Sequence, residues 1–212
     1  MKLEQFIKKV QDYPVIDLES LMVGLKNPQS LKVHISRWQK SGKLIPLKNG
    51  LYILANAYRK VEPQEFYIAS LLKTPSYVTM EKALEYHDMI PEAVAVYTCV
   101  TTKRQGRFET PIGVFDYRHI KTSYFWGYDS VTLNDQTAFV ASPEKALLDL
   151  IYLKNIKVSQ GYLEELRLQN IDDIDLKKLM AYARRFGKPG IKRAAKIIKK
   201  FIEAEIAREK KL

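Results

Sequence analysis

Cysteine occurs once in 212 residues, histidine three times and tryptophan twice. A single cysteine excludes an intramolecular disulfide and every zinc-ligand spacing that needs a cysteine pair. Cys99 lies in Val94-Ala95-Val96-Tyr97-Thr98-Cys99-Val100, where a thiol usually serves as a small hydrophobe. His34, His87 and His119 are too scattered for a metal site, and no glycine-rich phosphate loop or dinucleotide turn is present. Internal repeats and low-complexity tracts are absent apart from the lysine-rich end. No apolar stretch approaches the roughly 20 residues that span a bilayer. Met1-Lys2-Leu3-Glu4 reads as the start of a charged amphipathic helix rather than a cleavable leader. The expectation is a cytoplasmic protein with no membrane contact, no metal and no cofactor.

What the chain has is positive charge, placed unevenly. The net charge is +11 at 46% hydrophobic content, enough for one large domain or two small ones. Residues 1–60 carry 11 Lys and Arg against 4 Asp and Glu, residues 61–155 carry 9 against 12, and residues 156–212 carry 15 against 8. A near-neutral middle between two basic ends suggests an anionic partner.

Residues 27–54 give that partner a form. Asn27 is an N-cap and Pro28 a first helical residue, where the missing N–H costs nothing. At about 100° per residue, Leu31, Ile35 and Trp38 share one stripe, while Gln29, Lys32, Val33, Ser36, Arg37 and Lys40 fan across the opposite face. After Ser41-Gly42 the pattern becomes extended around Lys48-Asn49-Gly50, and Asn-Gly supplies the positive φ angles of a two-residue hairpin turn. Leu3, Phe6, Ile7 and Val10, then Leu18, Leu21, Met22 and Leu25, repeat at helical spacing upstream. Three helices followed by a hairpin is the order of a winged helix-turn-helix. Its later helix lies in the major groove with its N-terminal residues at base edges. The candidate contacts to double-stranded DNA are Asn27, Gln29, Ser30, Lys32, Ser36, Arg37 and Lys40. Lys48 and Asn49 of the hairpin would touch backbone or minor groove. A merely solvated basic face is the ordinary alternative, and the basic surplus of residues 1–60 favours phosphate contact.

A polar stretch from Ala55 to Glu62-Pro63 reads as a hinge, with the domain boundary near residue 60. Beyond it, helical periodicity appears at Ile68, Leu71 and Leu72 and from Thr79 to Tyr86, with Thr79 as cap. Strand patterns over residues 93–101, 112–120 and 137–141 predict a small antiparallel sheet. Ser142-Pro143-Glu144-Lys145 starts a strongly apolar helix. The last third reads as helices over residues 160–168, 175–186 and 189–209, with Gly187 ending the second. The fold class is therefore α+β, with a winged helix over 1–60 and a domain of small sheet and several helices over 61–212. From Lys177 to Lys200 there are ten basic residues and no acid. Lys188, Lys192, Arg193, Lys196 and Lys199 form a second candidate patch for nucleic acid or an acidic partner, against the common case of a solvated helix face.

These pieces in this order resemble the AbiE-type antitoxin family of abortive-infection and type IV toxin-antitoxin systems. The likeness rests on Gly50-Leu51-Tyr52-Ile53-Leu54, on residues 83–91 from Ala83 to Pro91, on Gly113-Val114-Phe115-Asp116-Tyr117, and on residues 141–149 from Ala141 to Asp149. It covers roughly residues 15–155. The resemblance implies an operator-binding autorepressor whose second domain neutralises a nucleotidyltransferase-like toxin. None of the motifs is catalytic.

Enzyme readings are weaker. Asp172, Asp173 and Asp175 lack the Gly-Ser pair of a nucleotide-transfer site, and a helix N-terminus explains them more simply. Ser142 and Lys145 match a hydrolase pair only superficially; a helix cap accounts for them better. Glu81, Glu85 and His87 fit a solvated helix face more readily than a shared site. Tyr117, Tyr124, Phe125, Trp126 and Tyr128 read mostly as core, with an exposed subset free to form a partner surface. The functional expectation is a DNA-binding regulator. The other class is a protein-interaction module whose basic C-terminal helix binds an acidic partner.

Overall fold

The computed structural model describes residues 2–25 and 27–209. Three helices open the chain: α1 (Leu3–Val10), α2 (Leu18–Met22) and α3 (Pro28–Lys40). With them runs a three-stranded antiparallel sheet of order β1-β3-β2, made of β1 (Ile16–Asp17), β2 (Leu44–Lys48) and β3 (Leu51–Leu54). α1 lays Phe6 and Val10, four residues apart, on one side, and Phe6 meets Trp38 at 4.8 Å between ring centroids.

The rest of the chain is built on a larger sheet. It contains β4 (Ser76–Val78), β5 (Val96–Thr101), β6 (Gly106–Thr110), β7 (Gly113–His119), β8 (Tyr128–Leu133) and β9 (Gln136–Ala141), in the order β6-β7-β5-β4-β9-β8. Around it stand α4 (Glu65–Leu72), α5 (Met80–Tyr86), α6 (Pro143–Lys154), α7 (Gln160–Glu165), α8 (Leu176–Phe186) and α9 (Pro189–Glu209). The protein is α+β. The second sheet differs from the small antiparallel one expected: it has six strands and is mixed, with β5 parallel to β7 and β4 parallel to β9. Three of its strands, β4, β6 and β8, lie outside the expected strand ranges; β4 is three residues long and buried throughout, so it shows no alternation.

Successive strand residues point to opposite faces, and this sorts the helices. Tyr117, opposite Cys99, donates its hydroxyl to the Ala69 carbonyl of α4. Tyr77, opposite Val100, donates to Asp149 of α6 on the other face.

The same alternation joins the two halves of the molecule. Tyr52 and Leu54 of β3 belong to the small core with Phe6 and Trp38, whereas Leu51 and Ile53 belong to the large one. β3 is a shared wall, so packing crosses residue 60. The stretch read as a hinge is also held. Gln136, 4% exposed, accepts from Gln64 N at 2.9 Å and donates to Glu62 O at 2.8 Å, on either side of Pro63. No helix among the described residues is long and apolar enough to cross a membrane.

Candidate nucleic-acid interface

α3 is built as its sequence suggests. Asn27 Oδ1 accepts from Ser30 N at 3.1 Å, so that carboxamide oxygen starts the helix. Leu31, Ile35 and Trp38 are buried, and His34 stacks on Trp38 at 5.4 Å. Gln29, Ser30, Lys32, Ser36, Arg37 and Lys40 are exposed, as is the side chain of Val33 at 46%. Gln29, Val33, Ser36 and Lys40 follow one another at three- and four-residue steps, and Arg37, four residues after Val33 and three before Lys40, flanks them, so the five form a single solvent-facing strip. Among the described residues no ion pair involves Lys32, Arg37 or Lys40. Arg37 and Lys40 stand in the last turn, where the carbonyl end of the helix favours them.

The hairpin tip departs from expectation. Only Gly50 takes a left-handed φ, +85°, and a register shift between Pro46 and Lys48 supplies the remaining bend. Lys48 does not reach outward. Its ammonium donates to the carbonyls of Leu71 at 3.0 Å and Leu72 at 2.8 Å, at the end of α4. Partial burial, then the nearby Lys73, lowers its pKa. The side chain expected on a phosphate is thus a clasp between the hairpin and α4. Sequence could not reveal this, because the partners are carbonyls 23 and 24 residues away. Asn49 is exposed at the tip.

The basic run of the last helices divides in use. Lys178 pairs with Glu144 at 3.0 Å, and the Arg185 guanidinium lies 4.3 Å from the centre of the Trp126 ring. Lys188 sits 4.6 Å over Tyr152, and Lys199 is 3.6 Å from Glu203. Lys192, Arg193 and Lys196 are exposed. Of the second candidate patch, three cations face solvent with no acid beside them among the described residues, while two lean on the protein itself.

The strongest polar cluster was not singled out from the sequence. Lys145 and Asp149, one helical turn apart on α6, are both 0% exposed and form an ion pair. Tyr77 and Thr79 each donate to Asp149 Oδ2 at 2.9 Å, and the Lys145 ammonium also reaches Tyr77 Oη at 2.8 Å. Thr79, expected to cap α5, makes no cap bond there; its hydroxyl serves Asp149 instead. The rings of Trp126 and Phe186 each lie 4.9 Å from the Lys145 ammonium. Burial pushes Lys145 down and Asp149 up, and each is opposed by its partner. Desolvating two such ions costs several kcal/mol apiece, on the order of what good geometry and extra hydrogen bonds can offset. With Lys145 and Asp149 closed off from solvent, the cluster fixes how α6, β4 and α8 meet. The available signal was Lys and Asp at i and i+4 within the apolar run of α6.

The remaining candidates separate in the same way. Glu81 pairs with Lys154, Glu85 pairs with Lys82 at 2.8 Å, and His87 Nε2 lies 2.8 Å from Ala141 O, so they do not converge. Ser142 Oγ caps α6 through Lys145 N at 3.4 Å, and Asp175 Oδ1 caps α8 through Lys177 N at 2.8 Å. Cys99 is buried, and that burial holds its thiol protonated well above the usual range. Among the described residues no three His, Cys, Asp or Glu are grouped to hold a metal ion.

Neither a known family model nor a curated protein matches the chain. The likeness to AbiE-type antitoxins therefore rests on the residues quoted for it.

Proposed function

We propose that residues 2–54 act as a winged helix-turn-helix, that α3 enters the major groove of duplex DNA, and that the protein is a transcriptional regulator. The observation that carries this is the α3 strip itself. It sets Gln29, Ser36 and Arg37 beside an exposed valine, with cations that engage no acid among the described residues. The major groove offers donors and acceptors at base edges and one apolar group, the thymine methyl, and the strip has a side chain for each. The Lys48 clasp alters the hairpin's part. It orients the first half of the molecule on the second, and DNA contact at the tip falls to Asn49. The resemblance extends the reading to the antitoxin and autorepressor of a toxin-antitoxin operon.

The test is a mobility-shift titration with duplex DNA from upstream of the protein's own coding sequence against scrambled duplex. Selective retardation of the upstream duplex, with affinity falling steeply as salt rises, is expected. Equal affinity for both duplexes would leave only unspecific charge attraction and reject the regulator.

A further inference from the structure

A trough of about 840 Å³ runs between the end of α6, the segment after it, and the first turns of α9. Its floor is apolar: Ile151, Ile156 and Val158 on one side, Ala194 and Ile197 on the other. Ile197 is a large hydrophobic side chain left 37% exposed on a helix whose isoleucines at 191, 198 and 202 are buried and whose Ile206 is half-buried. Lys157, Lys188 and Arg193 stand among the lining residues, which include no carboxylate. Lys196 and Lys200, three and seven residues beyond Arg193, continue the same edge of the helix. The α9 bank from Pro189 to Ile197 is about 12 Å long at 1.5 Å per residue, a little over two helical turns.

We propose that this trough docks an acidic amphipathic segment of a partner protein, laying apolar side chains on the isoleucine floor and carboxylates along Lys157, Arg193 and Lys196. An amphipathic helix in a groove is read through anchors at i, i+3, i+4 and i+7, and the bank length fits two such turns. The charge complementarity decides between occupants. Nucleic acid would supply the negative charge but has no use for an isoleucine floor. The one ring at hand for base stacking, Tyr152, is covered by Lys188 at 4.6 Å. This site lies on the second half of the chain and stands whether or not α3 binds DNA.

The experiment uses the full chain and three synthetic helical peptides of about five turns. One has leucine at i, i+3, i+4 and i+7 with glutamate elsewhere; the second has lysine in place of glutamate, and the third serine in place of leucine. Fluorescence anisotropy should show binding of the first, with the other two weaker by about tenfold or more. Arg193→Glu and Ile197→Asp should each weaken the first peptide by about tenfold while the thermal midpoint holds, and Lys40→Glu on α3 should leave it unchanged. Absence of binding, or binding indifferent to Arg193→Glu and Ile197→Asp, would overturn the site. So would displacement of the bound peptide by scrambled duplex DNA, or by anionic lipid vesicles, in wild type but not in Arg193→Glu.

Discussion

α3 and α6 start with the same local chemistry, Asn27-Pro28 and Ser142-Pro143, yet α3 leaves Lys32, Arg37 and Lys40 in solvent while α6 encloses Lys145 and Asp149 completely. Both caps accept a backbone N–H three residues on. The difference lies in what surrounds each helix. α3 has one neighbouring face, the small core around Phe6 and Trp38, so its polar residues fall outside. α6 is sandwiched, with every residue from Glu144 to Ile151 buried, and a cation there must find its counter-ion inside. A cap tells where a helix begins; its neighbours decide whether its charges hold the fold together or are left for a partner.

That contrast can be broken from the inside first. Asp149→Ala leaves the Lys145 ammonium buried without its carboxylate, and a loss of about 3–5 kcal/mol is expected in chemical denaturation. A loss below about 1 kcal/mol, the range of an exposed pair, would mean the pocket admits water. The same pocket sets an alkaline limit. Burial, then the Asp149 carboxylate, holds the Tyr77 pKa well above 10.0, and on the opposite face of the sheet, beside Phe66 of α4, burial of Tyr97 raises its pKa to about 12. Above pH 10 the unfolded chain releases phenolic protons that the folded chain keeps. Stability therefore falls as pH rises, and the tyrosinate absorbance of these buried rings should appear together with unfolding.

The clasp comes next in size. Lys48→Met removes two charge-assisted hydrogen bonds to the end of α4, and about 1.5–3 kcal/mol of stability should go with them. If Lys48 instead touched phosphate, its replacement would flatten the salt dependence of DNA binding by about one unit of slope and spare stability. On the outer face the expectations invert. Arg37→Ala should cost about 1–3 kcal/mol of affinity for a selected duplex with no change in thermal midpoint. The smallest effect belongs to Val33. Replacing the contacted thymine by uracil should cost wild type on the order of 1 kcal/mol, about one buried methyl, and Val33→Ala much less. Equal losses in both proteins would remove the methyl contact.

How much was legible from sequence follows the same divide. The starts of α3, α6, α8 and α9 could be read, because Asn27, Ser142, Asp175 and the Gly187-to-Pro189 corner act on adjacent backbone. The exposed strip of α3 could be read because period alone separates it from Leu31, Ile35 and Trp38. β4, the Lys48 clasp and the Lys145 pocket could not, since each depends on groups far away in sequence. Charge counted along the chain misled most at residues 177–200, where Lys178 and Arg185 serve the fold and Arg193 and Lys196 face solvent.

The central claim is that α3 carries sequence-specific recognition while α6 carries stability. It is tested most directly by measuring, in one buffer, the affinity ratio between a selected and a scrambled duplex for wild type and for a Gln29→Ala, Arg37→Ala double variant. The account predicts that the ratio collapses toward one in the double variant while its denaturation midpoint stays at the wild-type value. An unchanged ratio would place recognition elsewhere and contradict it.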